Sequence, residues 1–229
     1  MAAVTVENYS TPKYLRGIVG SVLRFRRGCT IYAQGDPADA AFYLLHGMVI
    51  FTINSPEGKE AVVETLGGDN FFGDDCIIES ARRPCTATAL DTCLLIRVEK
   101  SDLYGNFRRS AELSEAFLQH LVQRNRSIRE NLAEHLFSSS ERRLLRTLLT
   151  LAHEARMGDD IVTLPKVSQS VLASMVGTTR SRISYFLGRF RGMGLIEYDK
   201  NIRINQTLIA SMLRYDINDV EPERYLQSL

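Results

Sequence analysis

Between Leu23 and Val98 the apolar residues come in short runs: Ile31-Tyr32, Phe42 to Leu45, Met48 to Ile53, Ala61 to Val63 and Leu94 to Ile96. Turn-forming residues separate them at near-regular intervals, at Gly28, Gly35-Asp36-Pro37, Gly47, Ser55 to Gly58 and Gly67-Gly68-Asp69. Short strands punctuated by glycine predict a small all-β barrel or jelly roll. From Ser110 the period changes. No Pro or Gly occurs through Leu136, and Leu113, Phe117, Leu121, Ile128, Leu132 and Leu136 recur at helical spacing, with Arg124 or Asn125 filling the gap. Such a helix is roughly 40 Å long, too long to bury its whole stripe on a small β domain. The surplus predicts a parallel, coiled-coil-like seam with a second copy of the chain.

Beyond the long helix the spacing stays helical but the segments shorten. Ser138-Ser139-Ser140-Glu141 reads as a Ser-x-x-Glu capping box that starts a helix from Glu141 to Ala155. Phe137-Ser138 is the expected hinge, because small polar residues there let two domains reorient. A short helix carrying Val171, Leu172, Met175 and Val176 then runs into Gly177, which supplies the positive φ of a tight inter-helix turn. Thr178 and Thr179 offer cap hydroxyls for a second helix, over about Thr179 to Met193, whose buried stripe is Ile183, Leu187 and Phe190.

Opposite that stripe lie Ser181, Tyr185, Gly188 and Gly192, flanked by Arg180, Ser184 and Arg189. A face that is small and hydrogen-bonding at its centre and cationic at its edges suits a DNA major groove. Gly194 ends the helix, and Leu195 to Tyr198, a polar turn at Asp199-Lys200-Asn201, and Ile202 to Ile204 read as a β-hairpin. Helix-turn-helix plus hairpin is a winged-helix arrangement. Arg180, Ser181, Ser184 and Tyr185 are the candidate base-reading residues, with Arg180 placed for a bidentate contact to guanine. Thr179, Arg182 and Arg189 are candidate phosphate contacts.

Charge distribution agrees with this. The chain of 229 residues has a net charge of +1, yet Ser138 to Arg214 holds 12 Lys/Arg against 6 Asp/Glu, while the other segments hold 16 against 21. A basic C-terminal half is the footprint expected of phosphate contacts. With 45% apolar and 24% charged residues, the composition is that of a soluble globular protein. There is no run of about 20 apolar residues and no basic-then-apolar leader, so no membrane span or signal peptide is expected and the cytoplasm is the expected compartment. Cys29, Cys76, Cys85 and Cys93 form no C-x-x-C pair and have no clustered His, so no metal is expected. They read as small buried apolar residues, with a redox switch among Cys76, Cys85 and Cys93 left open.

The stretches FRRGCTIYAQGDPADAAFYLLHGMVIF, GGDNFFGDD and RRPCTATA resemble the cyclic-nucleotide-binding β-roll. Joined to the winged helix, residues 20 to 210 resemble a Crp/Fnr-family transcription regulator. The resemblance implies an α+β fold: an N-terminal double-stranded, jelly-roll-like β-roll that senses an effector (1–109), a long dimerisation helix (110–137) and a C-terminal winged helix-turn-helix (138–229). It also implies a homodimer on double-stranded promoter DNA, an inverted-repeat operator and RNA polymerase as a partner.

Family members that bind cyclic nucleotides use a Gly-Glu pair and an Arg-Ser/Thr-Ala segment, and here those positions hold Gly73-Asp74 and Arg83-Pro84-Cys85. Asp is one methylene shorter than Glu, and Pro84 has neither hydroxyl nor N–H. Arg83, or Arg82 in a shifted register, remains an anion anchor. The Thr-Ser pair that cyclic-AMP sensors set against adenine corresponds to Ile128-Arg129. Gly73, Asp74, Arg83, Cys85, Thr86 and Ile128 are the implied effector positions, for a small molecule other than typical cyclic AMP or for none. The absence of a cysteine cluster before Cys29 argues against an iron–sulfur cofactor, and none of the four His is placed as a haem ligand. A second class, a cyclic-nucleotide-binding adaptor or regulatory subunit without DNA binding, is permitted by the β-roll and disfavoured by the Gly177 turn, the hairpin and the basic half. No catalytic motif points to an enzyme.

Overall fold

The computed structural model describes residues 4–5, 12–15, 18–58, 60–154, 160–198 and 201–214. The chain divides into two compact units, Met1–Leu132 and Ala133–Leu229. In the first, nine strands among the described residues are followed by helices. The strands are β1 (Val4–Thr5), β2 (Val19–Phe25), β3 (Thr30–Tyr32), β4 (Ala40–His46), β5 (Met48–Asn54), β6 (Glu60–Gly67), β7 (Asn70–Phe72), β8 (Thr86–Ala89) and β9 (Cys93–Glu99). Helix α1 spans Lys100–Arg109 and α2 spans Ala111–Phe137. One antiparallel sheet runs β1-β2-β9-β4-β7 and the other β3-β8-β5-β6.

Strand β4 shows why the sheets stack. It is buried over its first five residues, so the period-2 alternation of a strand feeds two cores rather than one core and water. Phe42 and Leu44 point between the sheets with Tyr32, Phe51, Phe72 and Leu95, and the Phe42 and Phe72 rings stack at 5.0 Å. Tyr43 points the other way, into a layer shared with Phe71, Ile96, Leu103, Leu113 and Phe117. Burying each such side chain contributes about 1.5–3 kcal/mol.

That second layer is where α2 departs from the expected single stripe. Leu113 and Phe117 are buried and Leu121 is partly so, but Ile128, Leu132 and Leu136 are exposed. The reason is geometric. At about 100° per residue, the run from 113 to 136 drifts roughly 140° around the helix axis, so its ends face different directions. Leu118 and Val122, not read as part of a stripe, are exposed instead.

The second unit contains α3 (Ser140–Glu154), β10 (Ile161–Thr163), α4 (Gln169–Val176), α5 (Arg180–Gly192), β11 (Ile196–Tyr198), β12 (Ile202–Asn205) and α6 (Gln206–Arg214). The hairpin expected from sequence is β11–β12, and β10 adds a third strand on the β12 side. Asp199 and Lys200 of its turn, and Ala155 at the expected helix end, lie outside the described residues. The Ser138 capping box does not form. Ser138 Oγ bonds to Glu134, and the amide of Arg142 donates to Ser139 Oγ at 3.3 Å, one position later than expected. Glu141 pairs instead with Arg189.

Candidate nucleic-acid interface and sensor site

Gly177 closes α4 with φ 68°, in the left-handed region that a Cβ would strain. Thr179 caps α5 by accepting from the Arg182 amide. Between them the turn is shaped by local groups. An external brace comes from Arg143 on α3, which donates from Nε to the Val176 carbonyl at 2.9 Å and from Nη1 to the Ser138 carbonyl at 2.6 Å. Those acceptors lie at helix ends, where carbonyls lack partners.

Helix α5 is two-faced. Ile183, Phe186, Leu187 and Phe190 are buried, Phe186 being one more than the sequence stripe held. Thr179, Arg180, Ser181, Arg182, Ser184, Tyr185 and Arg189 are all exposed. The guanidinium groups of Arg180 and Arg182 have no protein partner among the described residues. Thr179 Oγ1 and Ser181 Oγ share a hydrogen bond of 3.1 Å, which presents a small polar surface at the helix start. Tyr185 stands 67% exposed with its ring edge on Phe186, 5.8 Å between centroids.

Arg189 differs from the others, since its Nη1 lies 3.0 Å from Glu141 on α3. A phosphate would compete with that carboxylate. Sequence reasoning missed Arg191, exposed on the Arg180 side of the helix, and Arg203 on β12, which pairs with Glu197 across the hairpin. Spacing from Arg180 carried the signal for Arg191.

In the first unit, three of the expected effector positions, Gly73, Asp74 and Arg83, meet at a short 3-10 turn, Asp74–Ile77. Gly73 takes φ 73°, and a Cβ there would come within 2.9 Å of Arg83 Nη1. Arg83 is 2% exposed and already engaged: Nη1 donates to the Gly73 carbonyl and to Asp75 (2.9 Å), Nη2 donates to the Ala40 carbonyl, and its guanidinium lies 4.3 Å over the Tyr32 ring. Its Nε is buried without a partner among the described residues. Arg82, the alternative anchor, donates to the Gly35 carbonyl. Asp74 is held by Arg124 from α2, whose other Nη reaches Glu64 at 2.6 Å. Thr86 Oγ1 accepts from the Gln34 amide, Cys85 is buried, and Ile128 is exposed on α2.

Arg124, Glu64 and Asp75 were not among the expected site residues. Their pairing spans 50 or more residues for Arg124 and eight for Asp75, and no local spacing encodes it. One guanidinium between two carboxylates leaves a net negative charge. Burial, with the neighbouring Asp74 charge, holds the Glu64 carboxyl above its ordinary value despite Arg124, while the two carboxylates hold Arg124 more firmly protonated against its burial. His120, one turn before Arg124, has its pKa lowered by burial and by that cation, with its ring 5.7 Å from Phe71.

Comparison with known proteins follows this division. The cyclic nucleotide-binding domain matches residues 22–110, and the Crp-like helix-turn-helix domain matches residues 142–213. The chain belongs to the Crp/Fnr family of DNA-binding transcription regulators. It is similar to the CRP-like cAMP-activated global transcriptional regulator of Mycobacterium tuberculosis, 26% identical over 80% of this chain and 83% of that one. The cAMP-activated global transcriptional regulator CRP of Salmonella typhimurium is 24% identical over 73% of this chain and 80% of its own. In fold it resembles FixK2 from Bradyrhizobium japonicum, with a TM-score of 0.72, 16% identity, and 84% and 96% of the two chains covered. A CRP-family regulator of Thermus thermophilus gives 0.72 at 22% identity, with the same two coverages.

The described helices of this regulator include none long and apolar enough to cross a membrane. Its cysteines divide by burial. Cys76, Cys85 and Cys93 are buried with thiols pushed up to about 11, chiefly by loss of solvation, and Cys29 is exposed. Since the thiolate is the reactive form, iodoacetamide at neutral pH should alkylate Cys29 in the folded protein. The other three should react only after denaturation; rapid native labelling of Cys85 would contradict its burial.

Proposed function

We propose that this regulator acts as a homodimer in the cytoplasm, without enzymatic activity, and reads an inverted-repeat operator in promoter DNA through the exposed face of α5. The observation that carries this reading is the partition of that helix: four apolar side chains sealed inward, and Arg180, Ser181, Ser184 and Tyr185 turned outward, with Arg180, Ser184 and Tyr185 making no side-chain hydrogen bond among the described residues. Two copies joined along α2 would set two such helices about one DNA turn apart. RNA polymerase is the expected partner at the promoter.

The effector is a small molecule other than cyclic AMP, or none. Two features support this. Asp75 already lies on Arg83, where a cyclic phosphate would have to displace it, and Pro84 has no N–H or hydroxyl to offer. The residues present therefore do not fit a cyclic phosphate. Fluorescence anisotropy with labelled promoter fragments tests both parts. The protein should bind an inverted repeat more tightly than its scrambled version, and adding cyclic AMP should leave that affinity unchanged. Equal binding to both DNAs would refute the operator reading, and tightening by cyclic AMP would refute the effector reading.

A further inference from the structure

On α2, Leu118, Val122, Asn125, Arg129, Leu132 and Leu136 follow one another at steps of four, three, four, three and four. That is the heptad rhythm of a coiled-coil seam. All six are exposed, and they lie roughly 120° around the helix from Leu113, Phe117 and Arg124, which face the β-roll. The stripe is apolar at both ends. A polar interruption, Asn125 and Arg129, sits in its middle.

If the chain pairs through α2, as the proposed homodimer requires, that interruption falls at the two-fold axis. In a parallel two-fold pair, each seam position meets its own copy. The four apolar positions meet as hydrocarbon, and Asn125 can pair amide to amide, being both donor and acceptor. Arg129 would meet Arg129, cation against cation. Nothing on the helix relieves them. The residues three and four positions away are Asn125, Arg126, Leu132 and Ala133, and none is acidic. The adjacent carboxylate, Glu130, is taken by Arg126 at 2.9 Å. The Arg129 guanidinium makes no hydrogen bond or ion pair among the described residues.

We propose that the two Arg129 guanidiniums, bounded by Asn125 and Leu132 of both copies, form a two-fold symmetric binding site for a polyvalent phosphate oxyanion. Paired planar forks suit such an anion, because each guanidinium offers two parallel N–H donors to neighbouring oxygens. Bound there, the anion would replace repulsion across the seam by attraction and tighten the dimer.

Sedimentation equilibrium with inorganic pyrophosphate as the probe tests this, against sodium chloride at equal ionic strength to remove simple screening. Pyrophosphate should lower the dimer dissociation constant by about tenfold relative to chloride, a change of about 1.4 kcal/mol. Arg129→Leu should dimerise more tightly than the parent in chloride and lose the response to pyrophosphate. A dimer of the parent chain that ignores pyrophosphate overturns the site, as does a weaker Arg129→Leu dimer or a response that survives this substitution. If neither protein dimerises under any condition, the homodimer reading itself fails.

Discussion

Arg180→Ala is expected to reduce discrimination between the operator and a scrambled site by roughly 10- to 100-fold, equivalent to about 1–3 kcal/mol for one bidentate base contact. The reasons are position and freedom. Arg180 opens α5 immediately after its Thr179 cap, the position from which the proposed recognition helix would meet base edges, and among the described residues no protein acceptor holds its guanidinium. Affinity for scrambled DNA should change little. Arg189→Ala should behave differently: Glu141 holds Arg189, so the substitution frees a carboxylate near the DNA face and should weaken binding to all sequences alike. Anisotropy titrations on matched and scrambled sites distinguish the two. If Arg180→Ala lowered affinity equally on both, its role would be phosphate contact and not base reading.

The second large effect is on stability. Arg124→Leu should destabilise the sensor unit by about 3 kcal/mol, because it strands two carboxylates in a partly dry site. Arg124 is 18% exposed in its side chain and touches Asp74 at 2.5 Å and Glu64 at 2.6 Å. The loss should depend on pH. Glu64 has a folded pKa raised above its unfolded value, so its contribution is fully present below that value and is lost as pH rises through the folded one. Removing Arg124 raises it further. The variant should therefore approach the parent in stability near pH 4 and fall behind as pH rises above the usual carboxylate range. Urea denaturation at several pH values measures this, and a deficit constant across that range would show that packing, not charge, holds α2 to the roll.

Both predictions rest on residues that are unequally legible in the sequence. Arg180 can be placed by counting from Gly177, because a helix turn repeats every few residues and the cap, the stripe and the outward face are all local. The β-roll is readable for a similar reason, as apolar runs alternate with turns fixed by Gly and Asp. Ser138 mimics a cap because three consecutive serines satisfy the same local rule, and only the partner at Glu134 selects among them. The third strand of the wing, Ile161–Thr163, is too short to stand out and pairs with β12 some 40 residues later.

What the chain dictated by itself was most of what is set over short range: the longer strands and helices, the outward face of α5, the basic half and the family to which they belong. What tertiary structure alone decided was how charges are spent. Arg83 on Asp75, Arg124 on Asp74 and Glu64, and Arg189 on Glu141 join groups that folding brings together across 8, 50, 60 and 48 residues. The same folding covers one side of α2 with the roll and leaves another bare. The physical reason is range. A helical or extended period constrains only the next few residues, whereas an ion pair forms between whichever opposite charges packing leaves adjacent and poorly hydrated.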